Sequence, residues 1–266
     1  MGDDNVLLVE QRGAVEWVTI NRPDVGNALN AQLVDALAEY FEGLRDREDA
    51  RVVVLQANGR HFCAGLDLSG DAFAENSRTP HTIFKLQRRI ARIYLAMRRA
   101  PQPIVSLIQG AACGGGFSLA LASDMRIAGE SAKMNAAYIK IGLTGADMGS
   151  SYFLPRLVGT SVASELLMTG RFIHAPRALA VNLVSEVVPD EQLEEAGQAL
   201  VDDLLLTSPM GLRLTKEALN VSVDASSLEA VMAMEDRHQA LLSMTEDAVE
   251  AGIAFFEKRP PDYKDA

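Results

Sequence analysis

The chain has 266 residues, enough to bury a substantial core in one large α/β domain or two smaller ones. Hydrophobic residues make up 48% of it and no apolar run is long enough to cross a bilayer; the acidic opening Met1-Gly2-Asp3-Asp4-Asn5 lacks the basic-then-apolar order of a secretion signal, so a cytoplasmic protein is expected. A formal net charge of -11 argues against nucleic acid or an anionic membrane as partner, and two cysteines with four scattered histidines contain no zinc-type ligand spacing.

Two alternating segments open the chain, Val6 to Val9 and Val15 to Ile20, and the turn Gln11-Arg12-Gly13 between them predicts a β-hairpin. Leu33, Val34, Leu37, Phe41 and Leu44 then recur at helical spacing, and the continuous apolar run Val52 to Leu55 reads as a buried strand. The alternation repeats. Ile83, Phe84, Ile90, Ile93, Tyr94 and Met97 predict a second helix, Pro101-Gln102-Pro103 stops it, and Ile104 to Ile108 forms the next buried strand. A glycine-rich turn, a short apolar helix from Phe117 to Ala122 and a strand from Met125 to Ala128 follow, a pattern of right-handed parallel crossovers. From about Tyr152 the chain is nearly all helical. Asp190 is expected to cap a helix through Leu206, Pro209 fits the first turn of another, and a last helix runs from about Thr245 to Lys258 before Pro260-Pro261. The expected organisation is an α/β core over residues 1–200 and a helical C-terminal region over 201–266.

Two segments place glycine just after a buried strand: Gly59 to Leu68, and Gln109 to Phe117 with its Gly114-Gly115-Gly116. Loops after strand C-termini are where parallel sheets bind ligands, and glycine lets the backbone come close and leaves N–H groups unshielded. Side by side, two such turns can aim two N–H groups at one oxygen, as stabilising a thioester oxyanion requires. For one isolated glycine run, a tight turn is the simpler reading.

The set, in this order, resembles the crotonase (enoyl-CoA hydratase/isomerase) superfamily. Asn27-Ala28-Leu29-Asn30 before a helix is similar to its N-terminal signature, Phe62-Cys63-Ala64-Gly65-Leu66-Asp67-Leu68 to its first oxyanion loop, and Ala112-Cys113-Gly114-Gly115-Gly116-Phe117 with Ala122-Ser123-Asp124 to its second. The tail from Thr245 to Pro260 is similar to its C-terminal helix. The resemblance implies an α/β fold with a ββα spiral core and a helical C-terminal trimerisation region, a homotrimer or dimer of trimers, and an acyl-CoA substrate whose coenzyme A is part of the substrate, with no separate cofactor. By position it implies Leu66 N–H and Gly115 N–H as oxyanion donors, Ala28, Ala64, Asp67 and Leu68 along coenzyme A, and Lys258 near its phosphates. Arg22 is a second candidate cation or a surface ion pair, and Cys63 and Cys113 read as small buried residues.

One departure matters. Where hydratases of this family place two glutamates that hold and deprotonate a water, this chain has Ser118 and Tyr138, neither an ordinary carboxylate base. Asp147, in the loop beyond Tyr138, is the preferred acid/base, with a helix-capping role as the alternative. Tyr138 donates to a leaving oxygen, orients a water or packs; Ser118 holds a water. His81 is within possible reach of the pocket, whereas His61 reads as structural. Three functions stay open: an enoyl-CoA hydratase or isomerase, a CoA-ester hydrolase or carbon–carbon lyase using Tyr138 and a histidine, and a non-catalytic acyl-CoA binder. The segment from about Gly70 to Lys85 is expected to form a mobile wall of the acyl pocket.

Overall fold

A computed structural model of the chain describes residues 5–69 and 79–266. The opening hairpin pairs β1 (Leu7–Arg12) antiparallel to β2 (Val15–Ile20), with Arg12 opposite Val15. The turn is therefore tighter than the expected Gln11-Arg12-Gly13: both strands run up to it, and Gly13 takes the left-handed backbone it needs. Three further strands extend the sheet in parallel: β3 (Val52–Ala57), β4 (Ile104–Ile108) and β6 (Met125–Gly129).

A second, smaller sheet holds β5 (Ala111–Cys113) parallel to β7 (Lys133–Asn135), with β8 (Ile173–His174) antiparallel at its edge. Two isolated parallel bridges, Leu29 with Leu66 and Cys63 with Ala112, carry that layer across to the earlier loops. Each turn of the chain thus adds a strand to the large sheet, a short extended piece to the second layer, and then a helix. Those helices are α1 (Ala31–Gly43), α2 (Pro80–Arg99), α3 (Gly115–Ala122) and α4 (Ser150–Thr169). This is the ββα spiral that the sequence implies.

The apolar strands have both faces covered, which is why they read as continuous runs. Val53 and Leu55 face the large core with Leu33, Leu37, Phe41, Ile93 and Phe117. Val52 and Val54 face the other way, with Trp17, Val105, Leu107 and Ile127, under α6 (Leu193–Leu205).

Two expectations are corrected. Asp190 does not cap α6: a 3-10 turn over Asp190–Gln192 precedes the helix, and the Asp190 carboxylate accepts from Ser131 N (3.1 Å) instead. The second half is also less purely helical than expected. After the short α5 (Ala175–Ala180), β9 (Glu186–Val188) returns to the large sheet and pairs parallel with β6, giving the order β1-β2-β3-β4-β6-β9.

Beyond α6 come α7 (Pro209–Ser222), α8 (Leu228–Leu242) and α9 (Glu246–Glu257), capped by Ser208, Ser227 and Thr245. Lys216 of α7, 6% exposed, ties that helix to the core by donating to Gln102 O (2.8 Å) and pairing with Asp124 (2.7 Å). No helix among the described residues is long and apolar enough to cross a membrane. Most of the expected wall segment, residues 70–78, lies outside the described residues.

Candidate active site

The two glycine loops are held together by their own backbones. Cys63 N donates to Ala111 O (3.0 Å) and Cys113 N donates back to Cys63 O (2.9 Å), closing the bridge between them. Glycine is required on both sides of this contact. Gly65 has φ +100°, and a Cβ there would lie 2.9 Å from Cys113 O; a Cβ on Gly116 would lie 2.2 Å from Cys63 O.

Asn27 anchors the first loop from below. Buried and in the left-handed region, it donates through Nδ2 to Asn58 O (2.8 Å) and His61 O (2.7 Å) and accepts from Arg22 N (2.7 Å). Leu29 N then donates to Gly65 O (2.8 Å), Asp67 N donates to Leu29 O (3.1 Å), and the Asn30 side chain accepts from Leu33 N (2.9 Å) at the start of α1. The Asn-Ala-Leu-Asn run is therefore scaffolding for the loop that follows it.

These bonds leave two donors unused. Leu66 stands between the paired Gly65 and Asp67, and Gly115 is the first residue of α3, so its N–H has no acceptor within the helix. Among the described residues neither N–H meets an acceptor. Both residues line one cavity of about 430 Å³, whose surface is mostly apolar.

Asp147 and Gln87 line the same cavity, as do Tyr138, Ala64 and Leu68. Asp147 is the only carboxylate among its described lining residues, and no histidine is among them. The Asp147 carboxylate accepts from Met148 N (2.7 Å, on Oδ1) and from Gln87 Nε2 (3.0 Å to Oδ1, 3.2 Å to Oδ2). It does not cap α4, whose N-cap is Gly149; instead the Asp147 backbone N–H donates to Ser150 Oγ (3.1 Å).

Ser118 and Tyr138 are both buried, and neither Ser118 Oγ nor Tyr138 Oη has a hydrogen-bond partner among the described residues. Burial pushes the Tyr138 phenol above its ordinary value; the Ser150 and Ser118 hydroxyls lie close enough to oppose the rise, and the Asp147 carboxylate adds to it. The phenol thus stays a neutral donor at physiological pH.

Other candidates sit elsewhere. Asp67 forms a half-buried ion pair with Arg22 (3.2 Å), and Ser69 Oγ donates to it (2.6 Å); Ser69 and Arg22 hold its carboxyl below the usual range against the effect of burial. Arg22 also donates to Ala28 O, so it ties the first glycine loop to the Asn27 segment and is not a free cation. Ala28 is buried. Lys258 is exposed as the left-handed C-cap of α9 and is not among the residues lining the cavity. His81 is exposed on the first turn of α2 and is likewise outside the lining, while His61 Nδ1 accepts from Ala111 N (3.2 Å). Burial pushes the Cys63 thiol up to about 12 and raises that of Cys113, which suits inert packing groups.

A larger cleft of about 830 Å³ opens beside His61, Lys133, Glu130, Asp190 and Glu194. Its charges are mixed, and neither Leu66 nor Gly115 reaches it. The smaller cavity is the one that gathers unpaired donors and a held carboxylate.

Sequence reasoning missed Gln87. It falls on the stripe Ile83, Gln87, Ile90, Tyr94 and Met97, spaced at helical intervals along α2, and a polar residue in an otherwise apolar stripe is the signal that marks it.

Comparison with known proteins points the same way. The model of the enoyl-CoA hydratase/isomerase family matches residues 10–266. The chain is 37% identical over 264 residues to a probable enoyl-CoA hydratase of Mycobacterium tuberculosis, covering 98% of this chain and 93% of that one. It is 31% identical over 257 residues to the 1,2-epoxyphenylacetyl-CoA isomerase of Escherichia coli, covering 97% of each. Among solved structures, an enoyl-CoA hydratase from Bacillus anthracis superposes with a TM-score of 0.92 at 31% identity, over 98% of this chain and 100% of that one.

Proposed function

Because this chain belongs to the enoyl-CoA hydratase/isomerase (crotonase) family, an acyl-CoA enzyme by kinship, we propose that it moves the double bond of an enoyl-CoA thioester, with Asp147 as its single acid/base. The observation that carries this reading is that Asp147 is the one carboxylate among the described residues of a cavity that also presents Leu66 and Gly115.

Isomerisation needs one base, because the proton taken from one carbon is returned to another. The Asp147 carboxylate removes a proton from C2 of a 3-enoyl thioester. The electron pair passes to the thioester oxygen, where Leu66 N–H and Gly115 N–H stabilise the charge. The protonated Asp147 then delivers the proton to C4, and the double bond forms between C2 and C3. The apolar cavity keeps water from quenching the dienolate and strengthens both N–H contacts. Ala64 and Leu68 would flank the pantetheine and adenine end of coenzyme A, which enters as part of the substrate; no other cofactor takes part.

One observation favours hydration as the second reading. Ser118 Oγ and Tyr138 Oη are buried, and neither makes a well-formed hydrogen bond among the described residues, which leaves both open to a water. A water held between them would occupy the place where the family's glutamates hold one, with Asp147 taking its proton. The hydrolase or lyase reading, which called on a histidine beside Tyr138, draws no support from a described lining without one. A pure binder would not need a carboxylate held by two donors.

Ultraviolet absorbance of the conjugated thioester separates the readings by sign. Short 3-enoyl-CoA is expected to gain absorbance as the 2-enoyl product forms, whereas hydration of 2-enoyl-CoA would remove it. If neither substrate changes although CoA esters bind tightly, the enzyme reading is lost and the binder reading stands.

We also propose a homotrimer, or a dimer of trimers. Met244, in the turn between α8 and α9, and the paired Phe255 and Phe256 on α9 are 86%, 79% and 84% exposed, apolar groups that a monomer would leave in water. Further copies of the chain would cover them and bring Lys258 toward a neighbour's coenzyme A phosphates. A monomeric mass by light scattering would overturn this.

A further inference from the structure

The cavity's carboxylate is set by a side chain from a helix well separated from it in sequence. Gln87 Nε2 donates to both oxygens of Asp147, and Met148 N adds a second bond to Oδ1 alone. The two oxygens are therefore unequal. Oδ1 carries two donors at 2.7 and 3.0 Å, while Oδ2 carries only the longer contact of 3.2 Å.

From this asymmetry we infer that Gln87 is a positioning residue for catalysis and that Oδ2 of Asp147 is the oxygen that takes and returns the proton. This rests on the reading of Asp147 as the acid/base. An oxygen with two donors has most of its lone-pair density engaged, and Oδ2 keeps the lone pair that a C–H proton needs. A neutral amide suits the task better than a cation. It orients the carboxylate without the strong stabilisation of the ionised form that an adjacent Arg or Lys would bring, which would weaken the base.

When Oδ2 accepts the substrate proton, the C–H pair flows into the enolate and the weaker contact to Gln87 is released. Oδ1 keeps both of its bonds, so the protonated group holds its direction for the return step. Asp147 thus stays aimed throughout, and neither step needs a second acid or base.

Helix α2 makes a second contact of the same kind. Tyr94, two turns along from Gln87 on the same stripe, is buried with Oη 3.1 Å from Gly115 O and 3.1 Å from Met148 Sδ. One rigid helix therefore touches the residue that offers an oxyanion donor and both residues of the Asp147-Met148 pair. A site that must hold base and donors in fixed relation gains from such a common support.

The test compares Gln87→Met, which keeps length and shape but removes the donors, with Gln87→Glu, which also sets a carboxylate against Asp147. The readouts are turnover of short 3-enoyl-CoA and 2-enoyl-CoA, exchange of the C2 protons of butyryl-CoA into heavy water, and thermal melting. Gln87→Met is expected to lower kcat and the exchange rate roughly 10- to 100-fold with KM within about twofold, since misaiming a reacting group costs on that scale. Gln87→Glu is expected to lose more, with both proteins folded. Asp147→Asn, run beside them, separates the two ideas. If Asp147→Asn is inactive while both Gln87 variants keep native kcat, the positioning role is wrong and Asp147 stands. A raised KM with native kcat would equally overturn it, making Gln87 only a wall of the acyl pocket. If Asp147→Asn itself keeps the native rate, or the native protein performs none of the three reactions, the reading beneath it falls as well.

Discussion

The two halves of the cavity are built by different means. The half that presents Leu66 and Gly115 is backbone against backbone: two loops bridged through Cys63 and Ala112, with glycines where any side chain would force them apart. The half that presents Asp147 depends on side chains: Gln87 on α2 and the Met148 N–H grip its carboxylate, and Ser150 Oγ on α4 accepts from its backbone N–H. The first half has almost no freedom to change its chemistry, because its donors are peptide groups. The second can exchange one acid/base for another by point substitution. Tyr138, which lines the cavity beside Asp147, lies on this exchangeable side.

The sharpest way to test that division is to add one methyl group to the backbone half. Gly116→Ala places a Cβ 2.2 Å from Cys63 O, where backbone has to move. Alanine's helix propensity returns only about 1 kcal/mol, so the loops must separate. A loss of kcat/KM of roughly 100-fold or more is expected, with a lowered melting temperature. Native activity in this variant would mean that the loops tolerate displacement and that the rigidity attributed to them is not needed. Asp147→Asn, on the other half, is expected to cost about 100-fold or more in kcat with CoA-ester affinity preserved and melting nearly unchanged.

The same division explains what could be read from the chain alone. The glycine loops, the Asn27 signature and the strand–helix alternation are local patterns, and the backbone interactions they encode are with segments that the spiral stacks next in order. The helix starts near Pro209 and Thr245 were legible for the same reason, and the structure adds a capping oxygen at Ser208 and Thr245, each three residues before the N–H it accepts. Asp190 misled because its carboxylate reaches across to Ser131 rather than along its own helix. Strand β9 was hidden because it is short, opens on an exposed glutamate and exists only through pairing with β6. Gln87 was hidden most thoroughly, since its significance lies in a carboxylate 60 residues away. Asp147 itself was visible as an acid in a loop, but that it grips Gln87 and Met148 and does not cap α4 rests on geometry that no spacing carries.

The smallest expected effect is also the one that best separates a site from a scar. If Tyr138 serves no chemistry, then Tyr138→Phe removes a buried hydroxyl that makes no well-formed hydrogen bond among the described residues, and stability should hold or rise by up to about 1 kcal/mol. Double-bond isomerisation should then stay within about threefold, while hydration, if Ser118 and Tyr138 hold the water, should fall by about tenfold or more. The alkaline limb of stability gives an independent check. Burial raises the folded-state value of the Tyr138 phenol above the unfolded value of about 10, so the folded protein retains a proton that the unfolded chain has released. Its contribution is fully present below about pH 10 and is lost as pH rises toward the raised folded value. Tyr138→Phe should therefore lose less stability than the native protein as pH climbs past about 10, measured by melting at constant ionic strength. An equal loss in both proteins would mean that the phenol is not held away from water, and with it would go the argument that its hydroxyl awaits a ligand.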